Sequence, residues 1–486
     1  MKNNIIKIFI MVPMLLATLS SCDSYLELQP KDNLIQQEFW LNKEQVSSAV
    51  AGCYASMTES GFTERVLKWG ELRGEMLVSN GASGNDVNMI RNFMIPSSSL
   101  VNWSNFYRTI NLCNLVLEFA DGAQEKDKTF TIQELKNFKA EALTIRSLVY
   151  LILVKNYKDV PLVLKGTSNT EVDFYPAKST EQEVLTQIIT DLNLAVEDLN
   201  LGYAESAAHD KGKMTKGGAL AILADAYLWN EQYTDCIDAT QRLMDLGRYN
   251  LVDGVDWFDL VFFEGNSEEG IFELQFSDIN STLRNAFQRF VGDFVPYQPI
   301  RELYGEFPSD IRGQFATYDL FLNTVFKYAG VDNTGEYRES DEYFNTFIFY
   351  RYADIVLMQA EAYILSSDRQ NLDKAFDLIN SVHERAVSLQ LDVSKDQESL
   401  LEALLIERQK EFAFEGKRWY DLLRFARRNN FENQQLILDL VDFKAGADDF
   451  EQILSSFSDP ESYFLPIFQN EIDLNDNLVQ NPYYEN

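Results

Sequence analysis

Residues 400–428 read LLEALLIERQKEFAFEGKRWYDLLRFARR. Leu401, Leu404, Leu405 and Phe412 recur at helical spacing, which gives the segment one apolar face. A second stripe, Arg408, Glu411, Glu415 and Arg418, runs at spacings of 3, 4 and 3 with charges of both signs. On one helix, or on two abutting ones, those four side chains are expected to stack along a single edge. Gly416 falls inside the stripe, where it is expected to end one helix as a C′ glycine and let the next begin through Lys417-Arg418-Trp419-Tyr420. Arginines flanked by Leu and Phe serve packing more often than catalysis, so the stripe reads as a structural ion network that pins two helices. Such a network fixes an angle without necessarily adding net stability, because desolvation offsets its Coulomb gain.

The same residues carry a resemblance. Glu407-Arg408, Glu411, Glu415-Gly416-Lys417-Arg418 and Trp419-Tyr420-Asp421-Leu422-Leu423-Arg424 resemble the ER…E…EG-x-RW-x-DL-x-R signature of the SusD/RagB family, the outer-membrane nutrient-binding lipoproteins of Bacteroidetes. Four further stretches agree in order. Cys22-Asp23 through Pro30 resembles the family's C-D-x-x-L-x-x-x-P opening. Ala140-Glu141-Ala142, Arg146, Tyr150 and the run from Asn156 to Leu162 resemble AEA-x-x-x-R-x-x-x-Y…YGDVPL, with Lys158 where glycine is usual. Tyr463-Phe464-Leu465-Pro466-Ile467 and Gln480-Asn481-Pro482-Tyr483 resemble the family's ending, with Phe468 replacing a second proline. The resemblance implies a mainly α body built on divergent tetratricopeptide-like helix pairs, with long loops and a few short strands.

Residues 1–21 read as an export signal: Lys2 and Lys7 precede an apolar run over 8–19, too short to span a bilayer. The run meets Cys22 through Leu19-Ser20-Ser21 and resembles a lipobox, which would make Cys22 the acylated residue and anchor the chain to the outer membrane, facing the cell exterior. With 46% hydrophobic residues in 486 positions the remainder can bury a large core. No linker divides it, so residues 22–250, an N-terminal SusD-like helical region, and 251–486, a C-terminal RagB/SusD region, are expected to pack as one body. The net charge of −33 is spread along the chain and argues against nucleic acid as a partner, since polyanions call for basic patches. Cys53, Cys113 and Cys236 lie on apolar helical faces without CxxC spacing and read as buried thiols. His209 and His383 are far apart, which leaves no material for a zinc site or a histidine triad, and both read as incidental. No metal and no cofactor is expected.

Helix starts are legible at Asn42 with Gln45, at Thr131 with Glu134, and at Thr180 with Glu183. Residues 220–243 and 351–386, and the Arg146 helix with its successor, read as three divergent helical hairpins, with Ala224, Cys236 and Ala360 at close-packing positions. Residues 271–276 alternate as a short strand. Residues 80–100, 280–304, 328–345 and 442–460 read as irregular loops. Among the tryptophans, Trp103, Trp229 and Trp419 sit with apolar neighbours, Trp40 and Trp257 match packing positions of the family, and Trp69 is assigned neither way.

A glycan site is a shallow surface on which a flat aromatic face covers the C–H face of a sugar while amides and carboxylates bond its hydroxyls. The loop residues that meet this description are Phe287, Phe290, Phe294 and Tyr297 with Asn285, then Tyr337 and Tyr343, then Asn80, Asn85 and Asp86. The family resemblance implies a nutrient-binding protein for a glycan or oligosaccharide, not an enzyme, with a TonB-dependent, SusC-like transporter as partner. Two alternatives stay open. One is peptide binding, as in RagB-like relatives; the other is a glycoside hydrolase, for which 75 acidic residues offer no specific carboxylate pair.

Overall fold

The computed structural model describes residues 39–167, 173–275, 281–305, 309–331, 335–339, 342–343, 346–366, 371–446 and 449–485. The export segment 1–21 and Cys22 lie outside the described residues. The fold is mainly α, as the resemblance implies.

Local chemistry sets the helix starts. Asn42 opens α1 (Lys43–Met57), its side-chain oxygen accepting from the Gln45 amide at 3.0 Å. Thr131 and Thr180 open α5 (Ile132–Tyr157) and α6 (Glu181–Asp198) with reciprocal capping boxes: each hydroxyl accepts from the amide of Glu134 or Glu183, whose carboxylate accepts from the threonine amide. Between α1 and α5 stand α2 (Ser60–Glu71), β1 (Leu77–Ser79), α3 (Gly84–Ile90) and the long α4 (Ser104–Lys126). Arg146 binds α4, α5 and α6 together, donating to Asn114 at 2.7 Å and to Asp191 at 2.6 Å while nearly buried. That pinning role explains an arginine on the apolar face of α5.

Two more hairpins follow, α7 (Lys216–Trp229) with α8 (Tyr233–Met244), and α10 (Tyr352–Leu365) with α11 (Asn371–Val387). Ala224, Cys236 and Ala360 have no exposed surface, so small side chains do let these helices approach. Strand β2 (Gly270–Leu274) pairs antiparallel with β4 (Phe347–Arg351), and β1 pairs antiparallel with β3 (Phe294–Pro296). One hydrophobic cluster runs from Trp40 to Leu478, and a small one gathers around Trp257. All six tryptophans are buried, Trp69 included. Cys53, Cys113 and Cys236 are free and buried. No helix among the described residues is long and apolar enough to cross a membrane.

The segment 400–428 folds as α12 (Gln397–Glu411), a turn, and α13 (Arg418–Phe431). Gly416 takes φ +72°, but it is not the C′ residue expected: α12 already ends at Glu411 with Phe412 as its C-cap, the glycine leads into α13 four residues later, and Phe414 is left-handed as well at +66°. This doubled reversal rotates the stripe out of line, so Arg408, Glu411, Glu415 and Arg418 do not stack on one edge. Arg408 and Arg418 turn to partners of their own, while Glu411 and Glu415 share Arg351. Arg408 donates to Asp421 at 2.8 Å and Arg418 to Glu75 at 2.9 Å. Glu411 accepts from Arg312 at 2.8 Å, from Arg351 at 2.5 Å and from Arg385. Glu415 accepts from Arg351 at 2.9 Å and from Lys327 at 3.0 Å. The ions therefore tie α12 to β4, α11 and the segment around Arg312, a wider connection than two helices. His383 joins its edge, 3.1 Å from Glu407, and is not incidental. The turn is seated on α2, where Glu71 accepts from the amides of Phe414 and Gly416, and a Cβ on Gly70 would lie 1.7 Å from the Gly416 carbonyl oxygen.

Three stretches expected as loops contain helices. Residues 80–100 hold α3, capped by Ser83; 280–304 hold α9 (Ser281–Asp293); 442–460 hold the end of α14 (Leu440–Lys444) and α15 (Phe450–Ser458). The closing segment crosses back to the first half. Leu465 donates its amide to the Asn156 carbonyl at 2.7 Å, Gln469 donates to Pro96 at 2.9 Å, and Arg73 donates to the Tyr463 carbonyl.

Candidate functional site

Phe287, Phe290 and Phe294 have at most 1% of their surface exposed. Their spacing of 3 and 4 is a helical apolar stripe; on α9 and the start of β3 it faces inward, with Phe287 stacked on Tyr328 at 4.5 Å between ring centroids. They are core residues and cannot offer a ring face to a sugar. Asp86 is withdrawn too, buried and paired with Lys68 at 2.8 Å. Asn285 is exposed on α9, while Asn85 and Tyr343 are half-buried.

Asn80 and Tyr297, by contrast, flank the β1–β3 pairing at its opposite ends. Asn80 donates its amide to Asp293 at 2.7 Å, and Tyr297 donates its amide to Met76 at 2.9 Å. The Tyr297 ring stands edge-on to Phe443, 5.8 Å away at 82°. Phe443, 43% exposed, forms a wall of a cleft of about 180 Å³ with Glu75, Val78, Ser79, Ile90, Arg91 and Lys444 among its other lining residues. Burial pulls the Lys444 amine down to about 7, opposed by the nearby Glu75 charge.

From Tyr297 the surface continues to a second aromatic group. Gln298 donates to the Asn323 side chain at 2.9 Å, and Asn323 belongs to a tight loop closed by paired backbone bonds between Asp319 and Thr324. At the loop's tip Phe321 is 82% exposed. Its ring stacks beside Phe315, 6.1 Å between centroids and 20° from parallel. Phe315 holds φ +68°, a conformation that costs a bulky residue on the order of 1–3 kcal/mol and is kept only where surrounding bonds impose it. The Phe315 amide donates to the Tyr318 carbonyl at 2.9 Å, and Asp319 braces the loop around it, accepting from the Phe321 amide at 2.8 Å, from Gln314 at 2.9 Å and from the Tyr337 hydroxyl at 2.6 Å. The last bond, with some burial, raises the Tyr337 phenol above its ordinary range. Phe315, Phe321 and Tyr337 thus form an exposed aromatic platform edged by Gln298, Gln314 and Asn323 and braced by the buried Asp319.

Tyr337 was singled out by the sequence; Phe315, Phe321 and Phe443 were not. A signal existed for one of them: Asp319 and Asn323 are turn residues, and they bracket Phe321-Leu322 at a tip where an apolar pair has nowhere to be buried. Phe443 had none, since α14 reads as acidic loop.

Stacked helix pairs presenting an aromatic surface on their loops define a helical binding scaffold, and the comparisons with known proteins agree. A family model described as "SusD family" matches residues 313–484, and one described as "Starch-binding associating with outer membrane" matches residues 24–228. The SusD-like protein P38 of Formosa agariphila is 25% identical, with 86% of this chain and 91% of that protein covered. A SusD superfamily protein of Bacteroides thetaiotaomicron superposes with a TM-score of 0.73 at 20% identity, covering 91% of this chain and 100% of that one. The surface glycan-binding protein A of the same organism, solved in complex with laminarihexaose, superposes at 0.72 with 18% identity, covering 90% and 99%. The chain belongs to the SusD/RagB family. Proteins of this family are glycan-binding proteins associated with the outer membrane.

Proposed function

We propose that this protein is a lipid-anchored cell-surface receptor that captures an oligosaccharide on the Phe315–Phe321–Tyr337 platform and passes it to a TonB-dependent, SusC-like transporter. The observation that carries the reading is the stacked, solvent-facing pair Phe315 and Phe321, the first at positive φ, in a loop braced by a buried carboxylate and ringed by amides. Flat rings cover sugar C–H faces, and Gln298, Gln314 and Asn323 supply donors and acceptors for hydroxyls. A fold relative solved with laminarihexaose supports the glycan over the peptide. The export signal 1–21 and Cys22 support the anchor, and capture followed by release needs only a difference in affinity between two states. In this reading residues 22–250 and 251–486 act as one body, and Asn80, Asn285, Tyr297 and Tyr343 remain candidate contacts at its margins.

The test is calorimetric titration of the full chain in detergent against neutral and acidic oligosaccharides and peptides. Phe321→Ala is expected to weaken binding of one neutral oligosaccharide by about tenfold, equivalent to about 1.4 kcal/mol. It should leave stability nearly unchanged, since 82% of that side chain already faces water. Undiminished affinity in both Phe321→Ala and Tyr337→Ala would remove the platform from the function. Binding by peptides alone would establish the RagB-like alternative, and product accumulating over hours would establish a hydrolase.

A further inference from the structure

We propose that the cleft beside Phe443 seats the terminal sugar unit of a neutral glycan, so that the protein takes its ligand by a chain end. The inference rests on the glycan reading of the adjoining platform and adds a polarity to it.

The cleft is small. At about 180 Å³ it falls below the range of about 300–1,000 Å³ that holds larger ligands, and it suits a single ring. It lies between β1, the last turn of α3 and the end of α14, with Leu77, Val78, Val87, Ile90 and Phe443 as apolar walls. The platform leads to it: Tyr297 meets Phe443 at the cleft, and Gln298, the next residue, bonds Asn323 of the platform loop. An oligosaccharide lying over Phe315 and Phe321 would therefore run toward the cleft and enter it with its end.

The polar groups select the chemistry. Glu75 lines the cleft with a side chain nine-tenths buried. Its Oε1 accepts from both Arg418 Nε and Nη2 and from Gln409, while Oε2 is buried and without a hydrogen bond. An unpaired buried carboxylate oxygen calls for a donor. Lys444 uses two of its three N–H groups on the carbonyls of Leu72 and Gly74. Arg91 reaches the mouth, 43% exposed and 3.3 Å from Asp449. A carboxylate or phosphate group entering here would meet Glu75, and an ammonium group would meet Lys444 and Arg91. A hydroxyl donates to the one and accepts from the other. Adjacent hydroxyls on a neutral ring satisfy both, while the ring's C–H face lies against the apolar walls.

The probes are laminarihexaose, maltohexaose, cellohexaose and xylohexaose, each with its parent unbranched polysaccharide, titrated against the full chain in detergent. End capture predicts that the polysaccharide of the bound type saturates with a single protein molecule per chain, however long the chain. Ile90→Trp, which fills the cleft from its half-buried wall, is expected to weaken hexaose binding at least about tenfold. Glu75→Gln should do the same. Because Glu75 also pairs with Arg418, Ser79→Trp at the exposed edge serves as a second block, with folding verified by circular dichroism. Many protein molecules per polysaccharide chain, together with unchanged affinity in Ile90→Trp and Ser79→Trp and lost affinity in Phe321→Ala, would overturn the cleft and leave the platform standing. Unchanged affinity in all three variants, or no binding by any of the four hexaoses, would overturn both.

Discussion

Replacing Glu411 by glutamine removes one charge from the most deeply buried ion cluster and almost nothing else. The side chain has no exposed surface and accepts from Arg312, Arg351 and Arg385. Burial opposes its ionisation, yet the three guanidinium charges outweigh burial and hold its carboxyl well below the usual range. Glutamine keeps the shape, leaves three guanidinium groups with one fewer counter-charge, and turns an amide NH2 toward donors. Breaking a buried pair in this way costs about 3–5 kcal/mol, a large share of a stability on the order of 5–15 kcal/mol. Urea unfolding followed by tryptophan fluorescence reads it directly, because all six tryptophans are buried. The pH dependence supplies a second reading. Glu411 and Glu415 have folded pKa values depressed below 4.5, so the stability they add is full above 4.5 and is lost as pH falls through the folded values. For Glu415, which burial pushes up but Arg351 and Lys327 pull to about 2, that contribution is about 3 kcal/mol, lost between pH 4.5 and 2. Glu411→Gln should flatten the acid limb as well as lower the plateau. If it costs less than about 1 kcal/mol, or if the double variant with Arg351→Met shows no coupling, the cluster does not act as a unit and the reasoning fails.

Other perturbations follow from single sites. Burial raises the Glu71 carboxyl to about 8, against the pull of its bonds from Phe414 and Gly416. A folded pKa above the unfolded 4.5 adds stability that is full below 4.5 and declines by about 5 kcal/mol as pH rises to 8. Unfolding at pH 5 and pH 8 should show about 3–4 kcal/mol of this decline, and Glu71→Gln should abolish its share; an identical decline in the variant contradicts it. Lys158 sits at φ +65°, ψ −80°, with the Asp159 amide bonded to the Tyr157 carbonyl at 2.9 Å, which is a strained γ-turn. Lys158→Gly should therefore be more stable than Lys158→Ala by about 1 kcal/mol in thermal melts; both lose the half-exposed Glu461 pair, which cancels from the comparison. An alanine variant equal to the glycine one would mean that the turn relaxes without cost.

What could be read in advance was short-ranged. Thr131 with Glu134 and Thr180 with Glu183 declare helix starts within four residues, and the small residues of the hairpins declare their own close packing. Glu411 declares that it needs cations but not which. Its partners Arg312 and Arg351 stand 99 and 60 residues away in the sequence, and Glu75 stands 343 residues from Arg418. Spacing fails differently at Phe287, Phe290 and Phe294. Nearby proline and tyrosine suggest a loop, yet their 3 and 4 intervals state a helix, and the periodic signal is the one the fold obeys. Exposure was the hardest property to foresee. Phe321 is bare because it stands at the tip of a closed loop, whereas Phe290 is covered because β3 and Tyr328 reach it. Composition cannot separate the two rings.

The closing segment sets a clock on biogenesis. Leu465 completes its bond to Asn156 only after 309 further residues, itself the last, have been made. At about 5–20 residues per second that interval is on the order of 15–60 seconds. Throughout it α5 exists without the strap that covers its end, and Arg73 waits for the Tyr463 carbonyl with no other hydrogen bond to hold it. A nascent chain of this design cannot close early on the ribosome. Its first half stays without the strap until the last twenty or so residues emerge.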